Sequence, residues 1–277
     1  MANWRTGYVV SGGERIYWEC AGEGIPIVIC HGAGSSHLSF YQQVAGLASE
    51  HIQVVVWDQR GYGNSTLATK VFGIGAAAED LTSVLRAVGL EDSPVHVVGQ
   101  AMGALVAARW AISNPDRVLT LALWDGPFAA GNDGRDLVWM LNPTDRGVQA
   151  SLVDRQVGKS VGVGAAFAAR NPVGAYLYQT IQEFGNVKPS YAEMFAAAQA
   201  EPVPIASLAA LDVPILIGRG EYDHVADAAA YEHLASLIPS ARVVVLPESG
   251  HSPYFETPDV WNSTVLDHVR QVSIDRR

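Results

Sequence analysis

Gly99-Gln100-Ala101-Met102-Gly103 is the stretch that decides how this chain folds. Before it, Val95-His96-Val97-Val98 is a short apolar run rich in β-branched residues; after it, Ala104-Leu105-Val106-Ala107-Ala108 is a run of small helix formers. A strand that enters a helix through a sharp, glycine-flanked turn is the setting in which G-x-S-x-G presents a serine hydroxyl. Here Ala101 occupies the central position, so the frame is present and the hydroxyl is missing.

Outward from that turn, the chain alternates between short apolar runs and longer helical stretches. The runs are Pro26 to Cys30, Ile52 to Trp57, Val95 to Val98, Val118 to Trp124, Pro214 to Ile217 and Arg242 to Leu246. Runs apolar on both faces are strands covered on both sides, which predicts a mostly parallel, doubly wound α/β sheet. Between them, Ala76 to Val88 places Leu81, Val84, Leu85 and Val88 on one helical face. The chain opens with a predicted hairpin, Tyr8-Val9-Val10 and Arg15-Ile16-Tyr17-Trp18 joined through Ser11-Gly12-Gly13. The alternation fails over 126–203, where helical fragments are punctuated by Asn142-Pro143, Asn171-Pro172 and Lys188-Pro189. We therefore expect a core of 1–125 and 204–277 interrupted by a helical cap. Phe128, Trp139, Met140, Phe167, Tyr176, Tyr178, Phe184, Tyr191, Met194 and Phe195 supply that cap with its own core, and together suggest an apolar substrate.

Composition narrows the function class. Over 277 residues, 49% are hydrophobic and 17% charged, enough apolar material for a sizeable core. A formal net charge of −10 without a basic stripe argues against nucleic acid as a partner. Cys20 and Cys30 each fall within a predicted strand and are expected to be buried thiols of a reducing compartment. Neither the 7 to 15 residue apolar run of a signal peptide nor the roughly 18 residues of a membrane span is visible, so the expected location is cytoplasmic, with no membrane partner. The eight histidines include no H-E-x-x-H, and no G-x-x-x-x-G-K-[ST] occurs, so neither a metal nor a cofactor is expected.

Open α/β sheets place their ligands beyond the C-terminal strand ends, and informative segments gather there. After the Pro26 to Cys30 strand comes His31-Gly32-Ala33-Gly34. The N–H of Ala33, paired with that of Met102, would form a two-donor oxyanion hole. Gly32-x-Gly34-x-x-His37 followed by Asp58 partly imitates a dinucleotide fingerprint, but His37 would crowd the packing reserved for a small third residue. His37 is instead a candidate substrate contact. In the next segment, Asp58-Gln59-Arg60-Gly61-Tyr62-Gly63-Asn64-Ser65, Asp58 and Arg60 are expected to pair locally as part of a structural loop. Asp223, in Gly218-Arg219-Gly220-Glu221-Tyr222-Asp223, and His251, in Pro247-Glu248-Ser249-Gly250-His251, follow consecutive strands downstream of the elbow, which is the order nucleophile, acid, base.

With these segments together, the chain resembles the α/β-hydrolase fold superfamily over nearly its whole length. The resemblance implies nucleophilic acyl transfer: a serine at position 101 attacks a carbonyl, His251 takes its proton and Asp223 orients the imidazolium. Some relatives carry the acid after the preceding strand, where Asp125 stands in Trp124-Asp125-Gly126, so Asp125 is the alternative acid. The family holds its elbow residue at strained positive φ, a cost that alanine keeps without the benefit of a hydroxyl. Three readings of Ala101 follow: a Ser→Ala replacement that inactivates a complete hydrolase, a natural ligand-binding module or receptor, or chemistry that uses only His251 as base, as in a cofactor-free dioxygenase or lyase. Intact Gly99 and Gly103 favour the first. The substrate implied is a small, largely apolar ester, lactone or C–C bonded ketone.

Overall fold

Strands β1 (Arg5–Ser11) and β2 (Glu14–Ala21) pair antiparallel from Arg5 opposite Cys20 to Ser11 opposite Glu14. Gly12 and Gly13, at φ 55° and 84°, supply the positive φ that a two-residue hairpin turn needs at both central positions. These coordinates form a computed structural model that describes residues 3–49, 51–126, 128–130, 136–139, 162–185, 188–225 and 228–275.

Past the hairpin the chain follows the predicted alternation: β3 (Ile25–Cys30), α1 (Tyr41–Leu47), β4 (Ile52–Trp57), α2 (Ile74–Ala87), β5 (Val95–Gln100), α3 (Met102–Ser113) and β6 (Val118–Trp124). It resumes after the insertion with α7 (Ile205–Ala209), β10 (Ile215–Gly220), α8 (Ala228–Leu237), β11 (Ala241–Leu246), α9 (Pro253–Glu256) and α10 (Pro258–Asp275). The sheet order is β1-β2-β4-β3-β5-β6-β10-β11, with only the β1–β2 and β2–β4 pairings antiparallel. β5 lies near the middle, buried along all six residues, so the turn that follows it is held between neighbours on both sides.

Strand periodicity divides the core into two layers. Val28, Cys30, Val55, Trp57 and Val97 face α2 and α3, whereas Ile27, Ile29, Val54, Val56 and Val98 face α1 and α10. α2 turns Leu81, Val84 and Leu85 inward, the stripe its sequence spacing predicts. Cys20 and Cys30 are both buried free thiols. No described helix is long and apolar enough to cross a membrane.

Between β6 and β10 the described residues form α4 (Ala165–Arg170), α5 (Pro172–Glu183), α6 (Tyr191–Ala200) and a small antiparallel sheet, β7 (Phe128–Ala130), β8 (Asp136–Trp139) and β9 (Val203–Pro204). The helical cap expected here also carries that sheet, whose strands of two to four residues are too short to show a period. Of the aromatic and Met residues expected in its core, Phe167, Tyr178 and Met194 are buried and Phe195 packs against the main core. Tyr176 and Phe184 are 60% and 40% exposed instead, on the outer side of α5 and just past its end. The side chains of Phe128, Trp139 and Tyr191, and the whole of Met140, lie outside the described residues.

Candidate active site

Ala101 is the hinge between β5 and α3. Its backbone lies at φ 49° and ψ −121°, a region sparsely populated by residues with a Cβ. The turn is locked from both sides: Ala101 N–H donates to the Trp124 carbonyl at 2.8 Å, and the Ala101 carbonyl accepts from Ala104 N–H at 2.9 Å. Gly99 and Gly103 are required by close approach. A Cβ on Gly99 would come within 2.3 Å of the Gly103 carbonyl oxygen, and one on Gly103 within 2.2 Å of that of Cys30. Met102 opens α3, so its N–H is one of the helix's unpaired N-terminal donors.

Because β10 and β11 run parallel, their following loops emerge at the same sheet edge and bring Asp223 to His251. His251 Nδ1 lies 3.0 Å from Asp223 Oδ1; the Asp223 side chain is fully shielded and that of His251 is 11% exposed. With its Nδ1 proton donated to the carboxylate, the imidazole keeps Nε2 as its basic nitrogen. Asp223 is itself held in place, since Val225 N–H donates to Oδ1 at 2.9 Å and the Tyr231 hydroxyl to Oδ2 at 3.1 Å. Gln100, the residue before the elbow, donates from Nε2 to the His251 carbonyl at 2.9 Å.

Asp125 sits behind this pair. It is fully buried, with its own positive φ of 45°; Oδ1 accepts Gly220 N–H at 2.8 Å, and Oδ2 has no hydrogen-bond partner among the described residues. Burial, and then the neighbouring Asp223 charge, push its carboxyl well above the usual range, while it is Asp223 that meets the imidazole. Asp125, Asp223 and His251 each bring one donor atom within 4.8 Å of the others. A cation there would have to displace the histidine–aspartate hydrogen bond.

His31 anchors the loop carrying Ala33. Its Nε2 accepts Gln59 N–H at 2.9 Å, which assigns the proton to Nδ1, 2.8 Å from the Gly32 carbonyl. Burial pushes its pKa down to about 4, keeping it neutral. A Cβ on Gly32 would lie 2.9 Å from that of Ala101, so the two loops are in contact. His37 is elsewhere: it is buried, with Nδ1 2.8 Å from Asp58 and Nε2 3.4 Å from Glu19. Both ring nitrogens face carboxylates, so the substrate contact expected of His37 gives way to a structural role. The expected Asp58–Arg60 pair is also absent. Arg60 reaches α2 and binds both carboxylate oxygens of buried Asp80 at 2.8 and 2.6 Å, while Asp58 is taken by His37 and the N–H of Asn64.

Beside Met102, Tyr62, Phe72, Ile74 and Ala77 face Met194 and Ala198 of α6 across a space of only about 20 Å³, and the Tyr62 hydroxyl meets the Met194 sulfur. This packing brings an insertion helix to the residue after the elbow.

Residues 25–258 match the family model for the alpha/beta hydrolase fold. The chain belongs to that family. As an α/β hydrolase, it is 26% identical to a putative carbamate hydrolase RutD of Azorhizobium caulinodans over 273 residues, covering 94% of this chain and 96% of that protein. Its fold is similar to an esterase from Exiguobacterium antarcticum, with TM-score 0.78, 22% identity and coverage of 95% and 98%. It is also similar to an enol-lactonase from Burkholderia xenovorans, with TM-score 0.74, 22% identity and coverage of 95% and 99%. In this α/β hydrolase, sequence reasoning passed over Gln100 and Tyr231. Gln100 carried one signal, its place inside the elbow motif; Tyr231 carried none, since a helical tyrosine is ordinary.

Proposed function

We propose that this chain is a serine-type hydrolase framework whose nucleophile position holds alanine, built for a small, largely apolar ester, lactone or C–C bonded ketone. The strained backbone of Ala101 carries the reading. A turn costing about 1 to 3 kcal/mol serves to project a nucleophile toward a base, and a bare methyl gains nothing from it. With a hydroxyl at position 101, Oγ attacks the carbonyl, His251 Nε2 takes the proton, and Asp223 stabilises the resulting imidazolium. The N–H groups of Ala33 and Met102 receive the oxyanion, each donor contributing about 3 to 4 kcal/mol. The names of the relatives, a carbamate hydrolase, an esterase and an enol-lactonase, support a carboxylic or carbamic carbonyl as the electrophile. Polar recognition of nucleic acid or a membrane plays no part.

The test is Ala101→Ser. Triad members act as a unit, so the variant should gain on the order of 10⁶ in turnover of a matched ester. Absence of any gain across activated esters, lactones and β-diketone-like compounds would remove the serine reading. A second reading has its own support: His251 stays hydrogen-bonded to Asp223 although there is no hydroxyl to activate. A base poised in that way suits proton abstraction by His251 alone. Turnover or oxygen consumption with Ala101 in place, lost in His251→Ala, would favour it. Tight ligand binding without any turnover, unaffected by Ala101→Ser, would favour a binding module.

A further inference from the structure

The loop bearing His251 is gripped from beneath by one buried carboxylate. Glu256 ends α9 and folds back so that Oε2 accepts Gly250 N–H at 2.9 Å and Oε1 accepts Ser252 N–H at 3.2 Å. These N–H groups belong to the Ser249–Gly250 and His251–Ser252 peptides, so a single side chain holds the backbone shortly before and directly after His251. The same Oε2 also accepts Gly164 N–H at 3.1 Å, from the segment inserted between β6 and β10. The insertion reaches this loop twice more. The Tyr178 and Ser252 hydroxyls are 2.8 Å apart, and Arg170 donates to the Glu248 carbonyl at 3.3 Å.

We infer that Glu256 is the positioning residue for His251, joining the insertion to the base-bearing loop so that the two are aligned as one unit. This rests on the reading of His251 as the base. Three backbone donors converge on one side chain that is 7% exposed, and the carboxylate alone satisfies all of them. Burial pushes its carboxyl pKa up, while these N–H groups and the nearby His251 oppose that rise. A glutamine has the same shape but only one acceptor oxygen, so its amide nitrogen must face at least one N–H. An aspartate keeps both oxygens and withdraws them by one methylene, lengthening the reach to Gly164.

The first measurement uses the chain as it stands. NMR-detected amide exchange in Glu256→Ala, which removes both acceptor oxygens, should accelerate at Gly164, Gly250 and Ser252 together by about tenfold or more, with the strand amides unchanged. Acceleration at Gly250 and Ser252 without Gly164 would overturn the coupling to the insertion. In an Ala101→Ser background, Glu256→Gln should lower kcat on an activated ester by about 10- to 100-fold with KM within about twofold, because misplacing a base costs rate rather than binding. Glu256→Asp should recover part of that kcat. An unchanged kcat would overturn the positioning role. If Ala101→Ser itself shows no hydrolysis, the serine reading falls, and exchange of the three amides alone decides the clamp. Should Glu256→Ala or Glu256→Gln fail to fold, Glu256→Asp takes the same measurements, with Gly164 expected to be released first.

Discussion

Replacing Ala101 by glycine tests the strain on which the functional reading stands. At φ 49° and ψ −121°, a Cβ costs about 1 to 3 kcal/mol, and glycine removes that cost. Against the relief stand the lost burial of the methyl of a residue that is 6% exposed, about 0.8 kcal/mol, and the greater freedom of glycine in the unfolded chain, about 0.4 to 1 kcal/mol. Mid-range values leave Ala101→Gly near neutral, stabilising by about 0.5 kcal/mol. The control is Ala107→Gly, at a fully buried position inside α3. There glycine gives up about 1 kcal/mol of helix propensity and the same methyl, so a loss of about 2 kcal/mol is expected. Urea unfolding of both variants, with unchanged m values, measures the gap directly. Equal losses at the two positions would mean that Ala101 carries no strain, and the case for a built nucleophile turn would fail.

Gly103→Ala should destabilise by at least about 1 to 3 kcal/mol, because its Cβ would meet the Cys30 and His31 carbonyl oxygens at 2.2 and 2.5 Å, backbone atoms that cannot step aside. A thermal midpoint within about 1 °C of the parent would contradict that packing. Asp125→Asn probes this buried acid through pH. The Asp125 pKa is raised in the native state, chiefly by desolvation and then by the Asp223 charge, from an ordinary value of 3.8. Below that value both states hold the proton and its full contribution to stability is present. As pH rises, the unfolded chain ionises first, and the contribution is lost at up to about 1.4 kcal/mol per pH unit until the native pKa is passed. Asparagine does not titrate and tolerates the positive φ, so the variant should match the parent near pH 4 and exceed it at pH 7 in urea unfolding. A stability difference independent of pH would show that Asp125 is ionised in the native protein.

Much of this molecule was legible before any coordinates. Runs such as Ile52 to Trp57 and Val118 to Trp124 are apolar on both faces, and that alone demands helices on both sides of a parallel sheet. Gly99 and Gly103 around Ala101 marked the sharp turn, and the chain order of Asp223 and His251 placed them beyond neighbouring strands. These features are local, or depend only on connectivity, so one-dimensional spacing carries them. Short strands such as β7 and β8 carry no period and were missed. The partner of Arg60 was misassigned because a buried charge takes whichever counter-charge the packed chain delivers. For Arg60 that is Asp80, 20 residues on, rather than Asp58 two residues away. The same holds at the site. Chain order favours Asp223 and leaves Asp125 as the alternative, and only the tertiary structure shows the difference in setting: burial and the Asp223 charge push the Asp125 carboxyl up, while the Asp223 carboxylate turns to the imidazole.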